Sequence, residues 1–145
     1  TKSDLPQAPH ELSIFAIESY WTGKSMNLRR YSIRVDGFVS LTAPLDGGEV
    51  VTKPIVFKGD RLVINYSTSA AGGVRIEIQD AEGRPLKGFS RADCHEIFGD
   101  EIEREVTWKQ GAGVGDLASK PVRLRFFLKD AELFSFRFRQ AKKGP

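Results

Sequence analysis

One cysteine, two histidines and one methionine among 145 residues remove several kinds of chemistry at the outset. Cys94 has no second cysteine to pair with inside the chain, so an internal disulfide and a multi-thiolate metal site are both excluded. His10 and His95 sit in separate segments with no second histidine near either, so neither a metal triad nor a catalytic dyad is expected. No apolar run approaches the ~20 residues of a membrane span, and the first residues lack the basic-then-apolar order of a signal peptide. The chain is expected to be soluble, with any targeting signal outside it. A P-loop, G-x-S-x-G and H-E-x-x-H are also missing, and "GAGVG" at 111–115 lacks the strand-to-helix setting of a dinucleotide site.

Charge of one sign is scarce too. Twenty-two basic residues against 19 acidic leave a formal +3, spread along the chain, which is only a weak pointer to an anionic partner. No basic cluster or recognition motif accompanies the aromatics, so neither nucleic acid nor membrane is an expected partner. Length and a hydrophobic fraction of 40% fit one domain with a single core.

What the chain does have is strand pattern. In "VRLRFFL", 122–128, Val122, Leu124, Phe126 and Leu128 fall on one face and Arg123 and Arg125 on the other, the period of a half-buried strand. "LFSFRFR" repeats this with Phe134, Phe136 and Phe138 inward. Val74, Ile76 and Ile78, and Tyr31, Ile33 and Val35, alternate likewise. Segments 11–17, 38–42, 49–57, 62–68 and 104–109 are rich in β-branched and aromatic residues, giving about nine short strands. Turn residues stand between them: Asp36-Gly37, Asp46-Gly47-Gly48, Lys58-Gly59-Asp60, Ala71-Gly72-Gly73 and Glu82-Gly83. With no long amphipathic helix, the expected fold is all-β: an antiparallel β-sandwich, jelly-roll-like, with one short helical turn. Trp108 and Tyr66 read as core by parity, Tyr66 together with Leu62 and Ile64.

The helical turn is placed by "SRADCHEIFGDEIERE", 90–105. Ser90 followed by Asp93 is a capping box, so a turn is expected after Ser90 and ending near Gly99. Cys94, Ile97 and Phe98 would share its inner side, with Cys94 as a small buried hydrophobe rather than a reactive thiol. The same stretch is dense in carboxylates. Asp93 with Glu96 or Asp100 would be the first place to seek an acid pair for glycoside hydrolysis, but acids in a polar loop beside Arg91 and Arg104 are ordinarily solvated, with nothing to raise one pKa. A hard cation is the other reading: Asp93, Glu96 and Asp100 are candidate calcium ligands by oxygen density, although the D-x-D-x-D-G pattern is absent. No other cofactor is expected.

"DGFVS" at 36–40, "GGEVVTKP" at 47–54, "NYSTSAAG" at 65–72, "DCHEIFGD" at 93–100 and "KPVRLRFFLKDAELFSFRF" at 120–138 together resemble the C-terminal β-sandwich that follows the five-bladed propeller in bacterial secreted proteins of the glycoside hydrolase family 32/43-like group. The resemblance runs from Glu11 onward. It departs from the pattern in "LFSFRF", where Phe134 replaces a more familiar tyrosine. It implies a non-catalytic accessory domain in a secreted or periplasmic protein, with the catalytic carboxylates on a propeller that this chain does not contain. It also implies that residues 1–21 are a linker or the last strand of a preceding domain and 22–145 the sandwich. Such sandwiches pack on the propeller, and some bind carbohydrate. No binding residue is carried over from the family.

Candidate contact residues for a polysaccharide or oligosaccharide come from the residues themselves. Tyr20 and Trp21, at a strand end before the polar "TGKS", can stack on a pyranose or cover a domain boundary. If 122–128 and 134–138 form a hairpin, Arg125 falls opposite Arg137, or Arg123 does, and like charges so placed need an anion between them. Arg75 and Glu77 lie on the outward face of 74–79, with Glu77 as the internal candidate for that anion. A uronate, a sulfated glycan or an acidic face of the propeller are the external ones. Two functions follow: carbohydrate recognition through Tyr20, Trp21, Arg75, Arg123, Arg125 and Arg137, or a structural module that buries the open side of a catalytic propeller.

Overall fold

The computed structural model describes residues 10–21 and 26–141. The chain forms two compact units, Thr1–Val39 and Ser40–Pro145, and the extent of the first follows from how its segments are joined. The reason is strand pairing. β1 (Glu11–Glu18) and β2 (Asn27–Arg34) make an antiparallel hairpin in unbroken register from Glu11 opposite Arg34 to Glu18 opposite Asn27. Residues 27–34 therefore belong with the segment before them. Arg30 ties the hairpin by donating to Glu11 and, at 3.1 Å, to the Ser13 hydroxyl.

The second unit is built on two long strands, β5 (Arg61–Gln79) and β7 (Arg123–Arg139), paired antiparallel along most of their length. Each edge of this pair is a broken strand. β3 (Leu41–Ala43) and β4 (Gly48–Val51) follow β7 on either side of a turn closed by the Gly47 N–H to the Pro44 carbonyl. On the other side β6 (Asp100–Glu105) follows the first half of β5, and Ile97 bridges to Val74 in its second half. The fold is all-β, antiparallel and sandwich-like, as the pattern predicts.

The nine short strands become fewer and longer for a physical reason. Ala71-Gly72-Gly73, read as a turn, is a bulge inside β5, with register shifting between Thr68 and Gly73. A Cβ on Gly72 would stand 2.3 Å from the Asp130 carbonyl oxygen, so glycine there admits the facing strand and a side chain would not. Asp130 itself has φ 41°. The expected hairpin between 122–128 and 134–138 is accordingly absent: both segments are parts of β7. Bulges also move the inward parity. Ala131 and Leu133 point into the core, Phe134 has no opposite residue where Asn65–Ser135 pairing steps to Tyr66–Leu133, and Phe136 is exposed.

One buried cluster unites both halves of the sheet: Leu62, Ile64 and Tyr66, then Val74, Ile76 and Ile78, against Val122, Leu124, Phe126 and Leu128. Loop side chains close it. Trp108 is fully buried, donates from Nε1 to the Ile76 carbonyl at 3.0 Å and meets Phe89 edge to face. Ser90 does start a turn, donating to Asp93 at 2.6 Å, but the turn ends at Cys94, which bridges to Trp108. Cys94 and Ile97 are buried as expected, whereas Phe98 is 72% exposed: Ile97, bridged to Val74, takes the inward position and its neighbour points away. The helical turn of the described residues is instead the 3-10 segment Gly115–Leu117.

Candidate functional site: a guanidinium and carboxylate groove

Parity on β5 and β7 creates the site. Where Val74, Ile76, Ile78, Leu124, Phe126 and Leu128 face the core, Arg75, Glu77, Gln79, Arg123, Arg125 and Phe127 face outward. Across β4, β7 and β5 this gives a row Glu49, Phe127, Arg75, and beside it a row Val51, Arg125, Glu77. Glu96, from the loop beside β5, continues the first row: Arg75 donates to its carboxylate at 3.4 Å and to the Cys94 carbonyl at 3.0 Å. Arg125 Nη2 reaches both oxygens of Glu49 at 2.9 and 2.8 Å, and Nη1 stands 3.9 Å from Glu77.

Phe127 is the floor. The guanidinium of Arg91 lies 4.5 Å and that of Arg125 4.9 Å from its ring centroid, within cation–π range. Buried Glu77 positions Arg91 from behind, accepting from the Arg91 backbone N–H at 3.1 Å and from the Gln79 amide at 2.8 Å. Arg75, Arg91, Glu49, Glu96, Phe127 and Lys129 line a groove of about 460 Å³. Gly73 keeps it open, since a Cβ there would meet the Glu96 carboxylate at 2.8 Å. Strands and the loop beside β5 thus hold planar donors and carboxylate acceptors side by side in a concave surface, a set of groups able to give and accept several hydrogen bonds at once.

Of the residues singled out from the sequence, the structure brings Arg75 into this groove and Arg125 against its floor. Arg123 shares the outward face, but its Nε donates to the Ala81 carbonyl at 2.9 Å. Arg137 lies on the far half of β7, opposite Val63, and pairs with Glu103. The opposition of Arg125 and Arg137 does not occur; Arg125 faces Glu77 instead. Tyr20 and Trp21 belong to the other unit, where they meet edge to face at 5.1 Å and are 61% and 91% exposed. The "TGKS" after them, 22–25, lies outside the described residues.

The three candidate calcium ligands have separate settings. Asp93 accepts from Ser90 and stands 3.7 Å from Lys109; the Ser90 hydroxyl is the main cause holding its carboxyl below the usual range. Glu96 faces Arg75, and Asp100 opens β6 opposite Ser67. Among the described residues no three His, Cys, Asp or Glu side chains are grouped to hold a metal ion. Further along, Glu101 pairs with Arg104, Glu103 with Arg137 and Glu105 with Arg61 and Arg139. Burial pushes the Cys94 thiol up from its ordinary value, and its sulfur accepts the Ile76 N–H at 3.3 Å.

Phe127, Glu49, Arg91 and Lys129 were not singled out from sequence as contact residues. Phe127 was within reach, since the alternation that sends Phe126 inward sends Phe127 outward. Arg91 was not, because a loop residue's direction has no periodic signal. Comparison with protein-family models, curated proteins and solved structures finds no match.

Proposed function

We propose that this chain is a non-catalytic carbohydrate-binding accessory domain of a secreted glycoside hydrolase-like protein, and that the groove over Phe127 is its binding surface. The observation that supports this is the row Glu49, Phe127, Arg75, Glu96, in which an aromatic ring and a guanidinium stand between two carboxylates on a concave surface. Neighbouring hydroxyls of a sugar pair naturally with such adjacent donors and acceptors. Cation–π contact with Phe127 keeps the two guanidinium planes in place before the ligand arrives, lowering the ordering cost of binding. Binding involves no bond cleavage. Calorimetric titration of the chain with a panel of neutral and acidic polysaccharides tests this: saturable binding lost on Arg75→Ala and Glu96→Gln, but kept by Arg137→Ala, supports it. A folded chain that binds no polysaccharide overturns it.

A second reading, a structural module that packs on a catalytic propeller, is favoured by the hairpin. Leu12, Ile14 and Tyr31 are exposed on one of its faces, and Phe15, Ile17 and Leu28 on the other. Two strands alone are marginally stable in water, and exposed apolar surface of this kind marks an interaction site. Hydrogen exchange distinguishes the readings: amides of 11–18 that become protected in the full-length protein, in a chain that binds no glycan, support the structural role.

A further inference from the structure

The charged groups of the groove are not equally engaged. Arg75 is held by Glu96 and the Cys94 carbonyl, and Arg125 by Glu49 and Glu77. Arg91 and Lys129 have no carboxylate partner among the described residues; the contact of the Arg91 head group is with the Phe127 ring. Asp46 is the lining carboxylate without a cation partner among the described residues. The formal charges of the lining balance, so what distinguishes Arg91 and Lys129 is that they are the cations left free for a ligand. Arg91 is also the better positioned of the two cations. Its backbone N–H is tied to buried Glu77 and its guanidinium carbon lies over the Phe127 ring, so less side-chain freedom remains to be lost on binding than for a fully solvated arginine.

Resting on the carbohydrate-binding reading above, we propose that the groove selects a negatively charged saccharide, a uronate or a sulfate ester, whose anionic group is received by Arg91 with Lys129 adding attraction. A planar guanidinium matches both oxyanions through paired N–H donors.

The test compares oligogalacturonate with its full methyl ester, and a sulfated galactan with the unsulfated one, by calorimetric titration of the chain at low and high salt. The charged member of a pair is expected to bind at least about tenfold more tightly at low salt, because a hydrogen-bonded ion pair is worth that much. The margin is expected to shrink at high salt. R91Q should lower the affinity for the charged member more than that for the neutral one and so remove the preference, and thermal melting of R91Q, whose substituted head group is exposed, controls for folding. Preference in the galacturonate pair assigns a uronate and preference in the galactan pair a sulfate ester, and either supports the proposal. Equal binding of charged and neutral members, or a preference that survives R91Q combined with K129Q, overturns the charge selection and leaves the carbohydrate reading intact. No binding to these or to neutral glucans and xylans overturns both.

Discussion

Glu77 and Arg125 face one another across β5 and β7, the Glu77 carboxylate buried and 3.9 Å from the Arg125 guanidinium. This relationship joins fold to groove, because the same carboxylate also accepts from the Arg91 backbone. Removing it in Glu77→Ala leaves the Gln79 amide and the Arg91 N–H without their acceptor, at a cost of about 1–3 kcal/mol. Chemical denaturation measures the loss, and glycan affinity should fall with it as Arg91 is released. Glu77→Gln keeps an acceptor oxygen and should recover most of both.

Gly72→Ala tests the bulge. A methyl group there would overlap the Asp130 and Lys129 carbonyls, at 2.3 and 2.7 Å, and backbone cannot yield as a flexible side chain can. Destabilisation of about 1–3 kcal/mol is expected, read as a lower denaturation midpoint. Unchanged stability would show that β5 and β7 do not approach as described.

Trp108→Ala removes a fully buried ring and the hydrogen bond to the Ile76 carbonyl. The expected loss is about 3–5 kcal/mol. In the parent chain, quenching by acrylamide should divide the fluorescence into an accessible part from Trp21 and a protected part from Trp108.

The Tyr66 hydroxyl donates to the Phe98 carbonyl at 2.7 Å, and burial, aided by nearby Glu101, raises its pKa from 10 to about 12. Because the folded value lies above the unfolded one, the neutral phenol favours the fold. Its contribution is complete below about pH 10 and is lost as pH rises towards 12. Ultraviolet titration should show a late component that vanishes in Tyr66→Phe, whose own stability should fall less steeply over that interval.

Cys94 is 2% exposed, and burial pushes its thiol up from its ordinary value. Iodoacetamide at mild alkaline pH should leave the native chain unmodified and label it only on unfolding. Labelling at the rate of a free thiol would contradict the placement of Cys94 in the core.

The readable part of this protein was its alternation. Val122 to Leu128 point as their parity says, and Leu62, Ile64 and Tyr66 with Trp108 form the core that the pattern indicated. The errors lie where alternation is interrupted. At Phe134 one extra residue reverses the inward set, and at 71–73 residues with turn chemistry serve a bulge instead. The groove was half legible for the same reason. Arg75 and Arg125 sit in regular strand, whereas Arg91 and Glu96 come from a loop whose path depends on Glu77, Cys94 and Trp108 together.

The most direct test of the central claim is nuclear magnetic resonance of the labelled chain titrated with a glycan that it binds, following backbone amides and arginine Nε–H signals. The account predicts shifts concentrated at 45–49, 73–75, 91–96 and 127–129, with the Arg91 side chain among the largest. Shifts gathered instead at Tyr20 and Trp21, with the groove unmoved, would contradict it.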